Sequence, residues 1–197
     1  MTEDHYIFPL GSVLFPGGTL PLRIFEQRYI EMTKICIRDS RPFGVCLIRE
    51  GAEVGLPAVP EPVGCLATIE QWDMPQLGLF ELQARGSERF RLLDSRVAAN
   101  GLITGTIERL PEDTPGAPVD HACREVLKLI IDRVGAAHFP QPVDLEDPSW
   151  VGYRLAEVLP LDAHVKQALL EIGDAGERLA RLRAILIKEG LVVKDGD

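Results

Sequence analysis

From about residue 5 to 110, short apolar or alternating runs are cut apart by glycine and proline. "HYIFPL", "TLPLRIF", "FGVCLIRE", "VGCLATIEQW", "LFELQARGSERFRLLD" and "GLITGTIERL" carry the period-two pattern of strands. Phe80-Glu81-Leu82-Gln83-Ala84 alternates strictly. The Gly86-Ser87 pair that follows predicts a type II′ hairpin turn, with Phe90 and Leu92 on the returning strand. One segment in this half has helical spacing instead. "FEQRYIEMTKICIRD" sets Tyr29, Met32 and Ile35 or Cys36 on one face.

After residue 120 the period becomes helical. "DHACREVLKLIIDRV" places Cys123, Val126 or Leu127, Ile130 and Val134 together. Asp147-Pro148, Asp162 and Asp174 each stand where a helix N-cap belongs, and Lys188 and Gly190 mark the last helix's end. Between the two textures lies "LPEDTPGAPVD", residues 110–120, which reads as an exposed linker. Strands and helices are segregated rather than alternating, which predicts an α+β protein and argues against a dinucleotide-binding sheet. The expected division is a β-rich part over 1–113 and a helical part over 114–197.

Composition narrows the function. The 197 residues are 46% hydrophobic and 26% charged, as in folded globular chains. The net charge is −9, and both halves are acidic. A nucleic-acid binder or a binder of anionic membrane needs a cationic face, so neither partner is expected. The start of the chain has no basic segment followed by an apolar one, and no apolar run approaches the ~20 residues of a membrane helix. A cytoplasmic location is therefore expected, with the four cysteines as buried free thiols.

The residues offer little catalytic chemistry. Pro16-Gly17-Gly18 is followed by no Lys-Ser/Thr pair, so it predicts a type II turn rather than a phosphate loop. None of the serines 12, 40, 87, 95 and 149 lies in G-x-S-x-G. No C-x-x-C or H-x-x-x-H pair is present, so no metal and no cofactor are expected. Trp72-Asp-Met-Pro-Gln-Leu-Gly-Leu-Phe80 reads as a loop between two strands. Its Trp72, Met74 and Leu77 form a candidate binding patch, unless Trp72 folds back onto the core. Arg28 and Tyr29, with Glu26, are a second candidate: a polar rim to a groove, or an ion pair and packed phenol that lock the helix in place.

These segments together resemble the LON domain, the N-terminal substrate-recognition domain of Lon-type ATP-dependent proteases. "FPLGSVLFPGGTLPLRIFEQRY" is similar to the family's opening signature. "PVGCLATIEQ", "ARGSERFRL" and "LAEVLPLDAHVKQALLEIGDAGERLARLRAIL" follow in the family's order. Gln27 stands where proline is common, and "DMPQLGLFEL" replaces the usual hairpin tip. The resemblance implies a PUA-like β pseudobarrel with one inserted helix, followed by a C-terminal helical bundle. It implies recognition of unfolded or damaged polypeptide, or of a protease or chaperone partner. With no Walker A motif and no Ser–Lys dyad in the sequence, the expectation is a stand-alone LON protein without ATPase or peptidase activity. The alternatives are an RNA-binding PUA-like protein and a Cys or Ser hydrolase outside the known motifs.

Overall fold

A computed structural model describes residues 2–111 and 118–193. Residues 112–117 of the expected linker lie outside the described residues. The chain forms two compact units, Met1–Pro111 and Glu112–Asp197.

The first unit is built on six strands: β1 (Thr2–Leu10), β2 (Thr19–Ile24), β3 (Phe43–Glu50), β4 (Val59–Gln76), β5 (Leu79–Val97) and β6 (Ile103–Arg109). Their order is β2-β5-β4-β3-β1-β6, and β5 also pairs with β6, so the mixed sheet returns on itself. Among the described residues, only β1 and β3 pair in parallel. Helix α1 (Gln27–Arg38) is inserted between β2 and β3 and buries Tyr29, Met32 and Cys36, the face its spacing predicts. These side chains join Phe8, Phe43, Phe80 and Leu82 in the larger of the unit's cores. Ile7, Cys46, Leu66, Phe90, Ile103 and Ile107 form a second.

Phe15-Pro16-Gly17-Gly18 is the expected type II turn. Gly17 has φ 75°, and the Gly18 amide donates to the Phe15 carbonyl at 2.9 Å. The turn docks on Gly86. The Gly17 amide donates to the Gly86 carbonyl and the Gly86 amide to the Gly18 carbonyl, both at 2.8 Å. A Cβ on Gly86 would stand 2.3 Å from the Phe15 carbonyl oxygen, so only glycine fits.

This contact corrects the expected hairpin. β5 continues straight through Gly86-Ser87, with Gly86 opposite Ala67 beside a register shift in the β4 pairing. The glycine serves a close backbone approach, not a reversal of the chain. The reversal comes earlier, at Leu77-Gly78, between the paired Gln76 and Leu79, with φ 84° at Gly78. Trp72–Gln76 is thus strand rather than loop. A register shift between Asp73 and Gln76 absorbs Met74-Pro75, which cannot fit a regular ladder.

The second unit holds α2 (His121–Val134), α3 (Pro148–Val158), α4 (Ala163–Glu171) and α5 (Ala175–Lys188). Each starts on an aspartate cap. Asp120, Asp147, Asp162 and Asp174 accept from the amides of Cys123, Ser149, His164 and Glu177. Fully buried Arg178 fastens α5 to its neighbours. Its guanidinium donates to the Leu169 and Ile172 carbonyls and to the Tyr153 hydroxyl, and stacks on that ring at 3.9 Å. Among the described residues no helix is long and apolar enough to cross a membrane.

Candidate functional site

Alternation along β2 turns Leu22 and Ile24 inward. They pair with Leu82 and Phe80 of β5, and Leu82 pairs onward with Trp72 of β4. Directly opposed residues share a face, so Leu22, Leu82 and Trp72 form one apolar row across three strands, with Ile24 and Phe80 beside it on the same face. Ile24 and Phe80 are buried; Trp72, its ring centroid 6.0 Å from Phe80's, is 53% exposed.

The cause of that exposure is the length of β4. Its pairing with β3 starts at Phe43–Ala67, so beyond Ala67 the strand is laddered to β5 alone. The hairpin runs past the end of β3, with β2 still laddered to its β5 arm, and presents Trp72, Met74 at 43% exposure and Leu77 at 95%. Phe25 follows Ile24 at the same end of the sheet and is 58% exposed.

Phe25 also lines a groove of about 280 Å³ beside β2, with Phe8, Leu10, Ile24, Tyr29 and Val54. The loop that carries Val54 is tied to the end of β1 by the Gly11 amide, which donates to the Glu53 carboxylate at 2.6 Å. Phe25 and Val54 were missed as site residues by the sequence reading. Phe25 had a signal: it falls one position out of step with the buried Leu22 and Ile24, so it faces outward. Val54 lies outside any periodic run and gave none.

Arg28 and Tyr29 take different places from the exposed trio. Arg28 is 6% exposed. Its guanidinium pairs with Glu26 at 3.0 Å, donates to the Gly101 carbonyl at 3.2 Å and lies 4.7 Å over the Tyr29 ring. With those partners it faces inward, rather than rimming the groove. Tyr29 packs on Phe8, with centroids 4.3 Å apart, and forms part of the groove wall. Burial raises the Tyr29 phenol's pKa; the Arg28 charge opposes this and the Glu26 charge adds to it.

The surroundings are acidic. Glu81 pairs with Arg23 and Glu70 with Arg85. Asp73 accepts from the Met74 amide at 2.8 Å, and Glu26 and Glu53 border the groove. Nucleophilic chemistry has poor material here. Cys36, Cys46, Cys65 and Cys123 are all buried, and none is in a disulfide. Burial pushes the Cys36 thiol up to about 11, Cys123 to about 12 and Cys46 further still. Ser87 donates to the Leu66 carbonyl. Among the described residues no group of three or more His, Cys, Asp or Glu could hold a metal ion.

Residues 6–188 match the ATP-dependent protease La (LON) substrate-binding domain. The chain belongs to this family. It is 27% identical over 199 residues to Lon protease 2 of Myxococcus xanthus, covering 95% of this chain and 24% of that protein. It is 22% identical to protein cereblon of Danio rerio, covering 86% of this chain and 52% of that protein. The chain thus spans about a quarter of the Lon protease it matches and about half of cereblon. Among solved structures, the Lon N-terminal domain protein from Xanthomonas campestris aligns with a TM-score of 0.75 at 36% identity, covering 92% of this chain and 98% of that one. The N-terminal domain of Mycobacterium avium complex Lon protease aligns at 0.69 and 18% identity, covering 92% and 97%, and shows the shared fold. This LON domain is α+β, as the segregation of strands and helices predicts.

Proposed function

We propose that this LON domain binds non-native polypeptide through the apolar end of its sheet, at Trp72, Met74, Leu77 and Phe25, with Tyr29 in the wall of the adjoining groove. The observation that carries the reading is the half-exposed Trp72 ring, held against Phe80 on a β4 arm that runs past the end of β3. Unfolded segments differ from folded ones chiefly in their exposed apolar side chains, so a receptor for them needs exposed apolar area. Trp supplies wide rigid area and Met adapts to varied partners. The family description, a substrate-binding domain, supports the same role.

The domain acts in the cytoplasm by binding alone, and any hydrolysis of its ligand belongs to a protease partner, any refolding to a chaperone partner. Buried thiols and a hydrogen-bonded Ser87 support this. The acidic border favours neutral or basic segments over acidic ones. The experiment is equilibrium binding of reduced, carboxymethylated lysozyme to the wild-type chain and to Trp72→Ala/Met74→Ala, with ATPase and peptidase assays on the same preparation. Weaker binding by the variant and no turnover by either support the reading. Turnover abolished by replacing one of the chain's own Cys or Ser residues contradicts it.

A further inference from the structure

We propose that the bound polypeptide adds to the sheet as a strand along the free edge of β4, residues Thr68–Trp72. This deepens the binding reading above and rests on it. Among the described residues, the strand beyond Ala67 has β5 on one side and no strand on the other. A strand with one neighbour turns alternate amides and carbonyls outward, and these remain to be paired.

The residues of that edge are exposed at Thr68, Glu70, Gln71 and Trp72 and half-buried at Ile69. A longer β3 would cover this edge, but the residues before Phe43 turn toward β1 instead. The Arg41 guanidinium donates to the Asp4 carbonyl, and the Pro42 carbonyl oxygen lies 3.3 Å from His5 Nδ1. The edge also has a definite end. The Asp73 carboxylate occupies the Met74 amide, and Pro75 has no amide to offer. A register shift between Ile69 and Gln71 bends the strand. These devices keep the edge short, which disfavours long edge-to-edge pairing with a second copy of a chain of net charge −9.

The geometry selects the chemistry of the segment. Because of the register shift, Ile69 and Trp72 both face the core side, opposite Ala84 and Leu82. A strand laid beside them places every second side chain against Ile69 and the open side of Trp72. Glu70 and Asp73 border the same edge. The segment that fits is extended, free of proline, apolar at alternate positions and neutral or basic between them.

The test uses an acetylated eight-residue peptide with Val or Phe at alternate positions and Thr or Lys between. Two further versions carry N-methyl groups on alternate amides, one version for each edge of the peptide. Methylation of the edge facing β4 is expected to weaken binding about tenfold or more, from the loss of two or more hydrogen bonds, and methylation of the other edge to change it less than about twofold. Hydrogen exchange of amides within 68–72 slows on binding. If both methylated peptides bind like the parent while Trp72→Ala/Met74→Ala still weakens all three, strand addition is overturned and the binding surface stands. If the parent peptide fails to bind although carboxymethylated lysozyme binds, strand addition also falls. If neither binds, both readings fall. Protection of 68–72 by self-association without peptide overturns the proposal in favour of a dimer edge.

Discussion

The Trp72 ring lies 6.0 Å from that of Phe80, tilted by 53°, and the two differ sharply in burial. Phe80 belongs to the core shared by α1 and the sheet. Trp72 leans on it from outside. One aromatic pair therefore joins a stability element to a surface one, and mutation separates the two roles.

Phe80→Ala removes a buried ring from a packed site. It is expected to lower unfolding stability by about 3–5 kcal/mol, measured by denaturant unfolding. A loss below about 1 kcal/mol would mean that Phe80 is not held in the core.

Arg28→Ala strips a buried guanidinium from the Glu26 carboxylate and the Gly101 carbonyl. The expected cost is about 1.5–3 kcal/mol of stability. Polypeptide affinity, measured well below the melting temperature, is expected to stay within about twofold, since the group faces inward. An affinity loss at unchanged stability would instead place Arg28 in the binding surface.

Gly86→Ala drives a methyl group onto the Phe15 carbonyl oxygen. Either the turn at Gly17-Gly18 lifts off or β5 bends, at a cost of about 1–3 kcal/mol. Ser87→Ala, next in sequence, loses a single hydrogen bond to Leu66 and is expected to cost about 0.5–1.5 kcal/mol. Denaturant unfolding of both variants checks this, and a Gly86→Ala cost no larger than that of Ser87→Ala would mean that the close approach to Phe15 is absent.

Stability is expected to decline as pH rises above 9. The buried Cys36 and Cys123 thiols hold their protons to about 11 and about 12, against 9.0 unperturbed. Between these values the unfolded chain loses protons that the folded chain keeps, so unfolding gains at most ~1.4 kcal/mol per pH unit for each thiol. The contribution is fully present below pH 9 and disappears as pH climbs through the folded values. Cys36→Ala and Cys123→Ala each flatten the slope. An unchanged slope in both variants would show that the thiols titrate alike in the folded and unfolded chain.

Period and punctuation made much of the fold legible. Strands β1 to β4 and β6, the inserted α1 and the caps at Asp147, Asp162 and Asp174 each follow from residues a few positions apart. Gly17 was also local, because Pro-Gly fixes its own turn. Gly86 was not: its reason is the Phe15 carbonyl, far away in sequence and invisible to any turn rule. The same limit hid the strand character of Trp72–Gln76. Proline and a polar run read as loop, whereas pairing with Leu79–Leu82 carries the strand onward through a bulge. Trp72, Met74 and Leu77 were singled out because apolar residues among turn formers are anomalous. Their exposure depends on where β3 begins, a tertiary fact.

The central claim is that the β4–β5 hairpin beyond the end of β3 is a binding surface and not an extension of the core. The most direct measurement is paired: affinity for carboxymethylated lysozyme and thermal unfolding, on Trp72→Ala/Met74→Ala against wild type. The account predicts at least about tenfold weaker binding, as expected for loss of central aromatic contacts. It also predicts a stability loss well short of the roughly 3–5 kcal/mol that truncating a buried tryptophan costs. Affinity unchanged at unchanged stability, or a loss of stability in the buried range, would contradict it.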